Sequence, residues 1–491
     1  MYKSSLLFLL FFLPTFAKGT DIFLADKYFT EQKYALAKKE YLASAKVGNP
    51  HAYYQLGNMY HKGLGGEKDA VNAMLYFYLA AEQKFHNSEQ IITNILDSLP
   101  KENQHSILQV LEDYKKSHGI ERKITQYFPV LETGDPIETI KFNGEATRKT
   151  VYHPQDIELD DYQPNTFGGD LSFDASSDEA FSDDSIELVR STPRTPFLII
   201  DHDIASDGSI RYTSEVQKFG HYQPLLEQFI LFPIEVPMHG EQAVDFASRT
   251  YLGAAAFNKF ALIRENEKMY EQVVRQTRKF RKGGTVNDQF NLAMLMLNFP
   301  WIEQEDTEAE QILLRLSETG HSPAMYEYGF KLYREQRDLA QAIHWLSEAS
   351  KYGLVRAEYR LAKILQTSPW VIKDEKKALF WFESAMSKGD IESHIAAVDI
   401  LFNSKNKEVA NYDKAVKYLL ALTETANNDP RYNYLLALKY RTGANRNIKL
   451  AVENLETAIL RGQMKNWDVS SWQDLLTRIT TGNIFVTDYE N

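Results

Sequence analysis

The feature that most constrains this chain is a spacing pattern in GNPHAYYQLGNMYHKGLGGEKDAVNAMLYFYLAA, Gly48 to Ala81. Ala52, Leu56 and Tyr60 recur at i, i+4 and i+8, so they share one face of a helix. Gly57 lies beside them, where a missing side chain lets a second helix come close. Gly63, Gly65 and Gly66 break the first helix. Asp69 is placed to cap the next one, its carboxylate accepting from free amides of the first turn. Ala73, Tyr76, Phe77, Ala80 and Ala81 form the packing face of that second helix. Small residues admit the neighbour and aromatics fill the remaining space.

The pattern returns with a period of about 36 residues. Upstream, Ala37, Tyr41, Ala45 and Gly48 match its second half. Downstream, Gly320, Ala324, Gly329, Asp338, Ala342, Trp345, Ala349 and Gly353 match with a shorter loop. The next unit is the clearest, with Gly353, Ala357, Leu361, Asp374, Ala378, Trp381, Phe382, Ala385 and Gly389. A degenerate unit follows, with Ala397, Asn411, Ala415, Tyr418 and Leu419. The last runs through Pro430, Leu436, Tyr440, Gly443, Asn447, Ala451, Leu455, Ala458 and Gly462. Ahead of them Leu292, Met296, Ala309 and Leu313 fit loosely. A helix pair repeated at such a period buries its apolar face only against its neighbours, so it stacks into an array.

This order of residues resembles the SEL-one-like repeat, a relative of the tetratricopeptide repeat. The match covers about residues 21–118 and 284–462. The resemblance implies a mainly α fold: a right-handed α-solenoid of helix-pair repeats in two segments, with a superhelical groove. It also implies an adaptor role, as in exported bacterial relatives that serve flagellar motors, polysaccharide export and envelope signalling. Some relatives brace each repeat with a disulfide, which a chain without cysteine cannot do. The family shares no catalytic residues to carry over.

Residues 119–283 lack the repeat. Prolines punctuate the first part, and Thr150 to Val189 contains no Lys or Arg but many acids, Asp156 to Glu187 among them. Residues 119–190 therefore read as an acidic linker or irregular segment. Phe197–Ile200 and Ile210–Thr213 flank Asp207-Gly208 as a β-hairpin. Phe229 to Val236 and Ala243 to Phe246 are expected to add strands, and Ala254 to Lys282 one or two helices. Residues 191–283 thus form a small α+β module, and 463–491 a C-terminal cap. The hairpin with its following helix and strand also resembles, over a short stretch, the C-terminal domain of energy-transducing envelope proteins.

The first residues bear on location. Lys3, the apolar run Leu6 to Leu13 and the small residues around Ala17 have the form of a secretory signal peptide, residues 1–17. The run is far short of the ~20 residues that span a bilayer. The absence of cysteine excludes disulfides, thiolate metal sites and a lipid-modified cysteine anchor. These features point to the periplasm of a Gram-negative bacterium, with no membrane span and no lipid anchor. A net charge of −12 disfavours nucleic acid as a partner.

Chemistry is thinly represented. Asp201, Asp203 and Asp207-Gly208 have the acids of a calcium loop, but Ser206 and Tyr212 stand where glycine and glutamate are required, so a hairpin with a polar tip is the better reading. The histidines form no metal-binding spacing. No catalytic residue, cofactor site or metal site is assigned. One surface stands out instead. The helix face opposite the packing residues carries Glu327, Phe330 and Arg334 in one repeat and Arg356, Arg360 and Lys363 in the next. This reads as a basic strip beside an exposed phenylalanine, a combination favoured at protein interfaces. The acidic stretch Asp156 to Glu187 is expected to occupy that strip in the free protein. The function that follows is a non-catalytic scaffold binding another envelope protein through its groove. The alternatives are a subunit of an energy-coupling or motor complex that uses the module, and an enzyme with its site in the module.

Overall fold

The structure is a computed structural model that describes residues 19–132, 138–145, 196–443 and 446–481. The signal-like segment 1–17 and the acidic stretch 156–187 lie outside the described residues. Helix pairs open the chain: α1 (Ile22–Thr30) with α2 (Tyr34–Lys46), then α3 (Pro50–Lys62) with α4 (Ala70–Glu82). α5 (Ser88–Asp97), α6 (Lys101–His118) and α7 (Ile120–Tyr127) follow. The module comprises β1 (Lys141–Gly144), β2 (Phe197–Ile204), β3 (Ile210–Phe219), α8 (Gln223–Leu231), β4 (Val236–His239), β5 (Gln242–Ala243), β6 (Phe246–Gly253), α9 (Lys259–Glu265) and α10 (Glu267–Lys282). The second segment pairs α11 (Val286–Asn298) with α12 (Glu308–Glu318), α13 (Ser322–Arg334) with α14 (Leu339–Lys351), and α15 (Val355–Thr367) with α16 (Glu375–Met386). It continues as α17 (Ile391–Asn403) with α18 (Tyr412–Ala421), α19 (Pro430–Arg441) with α20 (Ile448–Met464), and α21 (Ser470–Thr480).

The recurring Asp or Asn explains where each second helix starts. Asp69, Asp338, Asp374, Asn411 and Asn447 are all N-caps whose side chains accept from first-turn amides. A methyl group at Gly57 would meet the Phe77 ring at 2.8 Å, and one at Gly329 would meet the Ala342 carbonyl at 3.0 Å. The two helices of a repeat therefore meet backbone to side chain at Gly57 and backbone to backbone at Gly329.

The two helical segments are sewn together at the start of the described chain. Thr20 is buried, with its hydroxyl 2.8 Å from Glu358 Oε1, to which it donates, and 3.2 Å from the Ser350 carbonyl. The Ile22 amide donates to the Tyr352 carbonyl at 3.2 Å, and Asn49 Nδ2 to the Lys351 carbonyl at 3.0 Å. Gly353 makes this approach possible. Its φ is +88°, and a Cβ there would lie 2.3 Å from the Thr20 carbonyl oxygen. Gly353→Ala is therefore expected to lower stability by about 1–3 kcal/mol, the usual range for overpacking, read as a lower urea midpoint. An unchanged midpoint would mean that the Thr20 segment does not dock there.

The module holds two antiparallel three-stranded sheets, ordered β1-β4-β5 and β3-β2-β6. The hairpin is as expected, with β2 pairing β3 on one side and β6 on the other. Alternation along β2 splits its side chains between two faces. Phe197 and Ile199 join an apolar cluster with Phe280, Phe290 and Phe299. His202 points the other way, with its ring 4.9 Å from Phe229 of α8.

Three expectations need correction. Phe229 to Val236 is not a strand: α8 runs to Leu231, because Leu225, Leu226, Phe229 and Ile230 have helical spacing and proline opens the helix. Ala243 to Phe246 is not one strand but spans the break between β5 and β6. The proposed irregular segment 119–190 is ordered at its start, where α7 and residues 128–132 run along the second array. Trp381 Nε1 donates to the Tyr127 carbonyl at 2.7 Å, Lys377 Nζ to Phe128 at 2.9 Å, and the Ile372 amide to Val130 at 2.9 Å. Phe128 and Ile140 are buried, so these residues carry their own apolar anchors despite the proline-rich average around them.

Candidate protein-binding surface

The six candidate residues lie on the first helices of two successive pairs. α13 carries Glu327, Phe330 and Arg334, and α15 carries Arg356, Arg360 and Lys363. A spacing of three or four places each set on one helix face, and the two faces adjoin. The sequence reading of register is correct. Its reading of exposure is not. Phe330 is fully buried, and Glu327 and Arg360 are buried as well. The sheet β3-β2-β6 lies over them.

Asp201 and Asp203 sit two apart on β2 and so point to the same side. Asp201 accepts from Arg249 Nε at 2.6 Å and Nη2 at 3.0 Å, and also pairs with Arg356. Arg249 lies directly across the sheet on β6. Its Nη2 also lies 2.9 Å from Glu327 Oε2, a charge contact without hydrogen-bond alignment. Asp203 accepts from Arg360 and from the Tyr359 hydroxyl. At the edge, Lys363 Nζ reaches Asp245 Oδ2 at 3.2 Å. Phe330 stacks on Tyr326 at 5.5 Å. The guanidiniums of Arg360, Arg334 and Arg249 lie 4.9, 5.1 and 5.9 Å from the Phe330 ring centre, within the range of cation–π attraction.

The electrostatics follow from burial. Burial alone would raise the Asp201 carboxyl, but Arg249 and Arg356 outweigh it and hold the group well below the usual carboxylate range. Asp203 is likewise lowered, with burial opposed by Arg360, Lys363 and the Tyr359 hydroxyl. Burial depresses His202 to about 4, so its imidazole is neutral at pH 7. Arg334 differs from the others: no carboxylate lies within ion-pair distance of it among the described residues, and burial lowers its affinity for its proton.

The acidic stretch Asp156 to Glu187 is thus not needed to fill the strip. Asp201, Asp203 and Asp245 already pair with Arg356, Arg360 and Lys363. The signal was present in the sequence, as two acids at i and i+2 on a strand facing bases at i and i+4 on a helix. Reading Asp201 and Asp203 as polar hairpin residues concealed it, since both are fully or nearly fully buried. Among the described residues, no group of three or more His, Asp or Glu is arranged to hold a metal ion. No described helix is long and apolar enough to cross a membrane.

Comparison with known proteins agrees with the helix pairs. The Sel1 repeat matches residues 50–85, 318–353, 355–390 and 430–463. The helices α17 and α18 form without a match, in line with their degenerate sequence. No curated protein matches the chain. Among solved structures, the chain is similar to c5321, a protective antigen of uropathogenic Escherichia coli displaying an SLR fold. The two are 15% identical over 93% of this chain and 70% of that one, with a TM-score of 0.33. A Sel1 repeat protein from Oxalobacter formigenes is 18% identical over 45% of this chain and 86% of its own, at 0.32. A putative Sel1 repeat protein from Klebsiella pneumoniae subsp. pneumoniae is 16% identical over 43% and 99%, at 0.25. These superpositions are loose, and the fold assignment rests on the repeats themselves. The chain therefore carries four Sel1 repeats, and two of them, 318–353 and 355–390, hold all six candidate residues.

Proposed function

We propose that this protein is a non-catalytic scaffold that binds another protein of a Gram-negative cell envelope, working in the periplasm. Sel1-repeat proteins are generally scaffolds for protein interaction and typically not enzymes. The observation that carries the reading is the module seated on α13 and α15. There the repeat face packs against the chain's own sheet through buried aspartate–arginine pairs around Phe330, and arginine and aromatic residues are the types favoured at protein interfaces. Here part of that face is spent on the chain's own sheet, so the partner meets a composite of repeats and module.

Location and partner are tested together. The full chain fused to alkaline phosphatase, an enzyme active only outside the cytoplasm, should give activity in whole Gram-negative cells. In-cell crosslinking should join the chain to an envelope protein. An inactive fusion would exclude export. Crosslinks to cytoplasmic proteins alone would overturn the scaffold's assignment to the envelope.

A further inference from the structure

A cleft of about 350 Å³ opens where the module meets α15, α17, α19 and α21. Its size is at the low end of ligand pockets, which run from about 300 to 1,000 Å³. The basic groups lining it are already matched. Arg211 pairs with Asp207 at 2.7 Å, Lys363 with Asp245 at 3.2 Å, and Arg431 with Glu392 at 2.8 Å and Asp429 at 2.6 Å. Of the acids, Asp203 is held by Arg360 and Tyr359. Asp399 is the exception. Among the described residues no Lys or Arg lies within ion-pair distance of it, and the hydrogen bond it accepts there comes from Asn403 Nδ2 at 2.9 Å.

The wall next to Asp399 is aromatic. Tyr434 of α19 and Trp472 of α21 line the cleft with rings 5.2 Å apart and 14° from parallel, and both are partly exposed. A carboxylate without a cationic partner beside a partly exposed aromatic pair suits a cation, which gains an ion pair and a cation–π contact at once. An acidic group would face Asp399, Glu392 and Asp245 with every lining base already paired. An apolar group would bury Asp399 without compensation.

We propose that this cleft takes a lysine or arginine side chain of the partner protein, paired with Asp399 and laid against Tyr434 and Trp472. The inference rests on the scaffold reading and adds the chemistry of what is bound. Because Asp245 and Ala205 of the module form part of the lining, the cleft is complete only with the module seated. Burial pushes the Asp399 carboxyl up, only partly offset by Asn403, Arg431 and Lys363; an incoming cation would bring it back toward its ordinary range.

The probes are fluorescein-labelled peptides Gly-Ser-Lys-Ser-Gly and its Arg, Glu and norleucine counterparts. Each is titrated against the full chain at about 0.15 M salt, where long-range attraction is screened, and read by anisotropy. The Lys and Arg peptides should bind, and the Glu and norleucine peptides should not. Asp399→Asn, which keeps shape and the Asn403 contact, and Trp472→Leu should each weaken binding about tenfold or more, with unchanged melting of Asp399→Asn. Wild-type affinity in both variants would overturn the assignment, as would equal binding of the Glu peptide or no binding of the basic peptides at millimolar concentration. The scaffold reading is judged separately. An envelope protein that crosslinks equally to the Asp399→Asn chain would leave the scaffold standing and remove the cleft from it.

Discussion

Truncating Trp381 to alanine should cost about 3–5 kcal/mol of stability, the range for a buried aromatic. The side chain has no exposed surface and shares a cluster with Leu361 and Phe382. It also joins two parts of the chain. Its ring lies 5.5 Å from Phe128, and its Nε1 donates to the Tyr127 carbonyl at 2.7 Å. The alanine variant loses ring volume within the repeat and leaves that carbonyl without its partner. Denaturant unfolding should show a large fall in midpoint, and residues 120–132 should exchange amide hydrogens faster. Near-wild-type stability would mean that α15 and α16 are in the wrong register.

Asp201→Ala is expected to have an effect of similar size for a different reason. Removing one partner of a buried ion pair leaves the other charged and dry, typically at a cost of about 3–5 kcal/mol. Here Arg249 and Arg356 would be left to share Glu327, one acid for two buried guanidiniums. The loss should appear as separation of the module from α13 and α15. The same groups set the acid response. His202 and His321 are both depressed to about 4 by burial, so the unfolded chain takes up their protons first. Their contribution is whole above about pH 6.5 and drains as pH falls toward 4. Asp201 and Asp203, held below the ordinary value of about 3.9, then lose theirs as pH falls further. The histidines should therefore lower stability in a first stage, opposed by carboxyls that burial raises, Glu358, Glu392 and Asp399 among them, and the aspartates in a second; histidine NMR signals that titrate near the ordinary value of about 6.5 would show that His202 and His321 are solvated.

Much of the array was legible because its signals are local. Asp69, Asp338, Asp374, Asn411 and Asn447 mark helix starts, and alanines and aromatics mark the packing face. Each such signal needs only a few neighbouring residues. The register on α13 and α15 was legible for the same reason. What covers that face was not, because the partners are far apart in sequence: Asp203 meets Arg360 across 157 positions. A charged residue on a helix looks solvated until its counter-ion is found, and nothing local distinguishes the two states. Residues 128–132 escaped notice likewise, since an extended segment is fixed by the Lys377 side chain of α16 and by the carbonyls and amides of the loop before it, not by its own pattern. The cleft at Asp399 depends on β2, β3, α15, α17, α19 and α21 converging and had no sequence signature.

The central claim is that the module sits on the repeat face of α13 and α15. Zero-length carbodiimide coupling of the native full chain tests it directly, since such coupling joins only a lysine and a carboxylate in contact. Lys363 and Asp245 lie 3.2 Å apart across that junction, and Lys414 and Glu383, 2.6 Å apart within the repeats, provide an internal control. Peptide mass analysis of the monomer should find both links, with the Lys363–Asp245 link lost in Asp201→Ala. Recovery of the Lys414–Glu383 link alone from the wild-type chain would contradict the account.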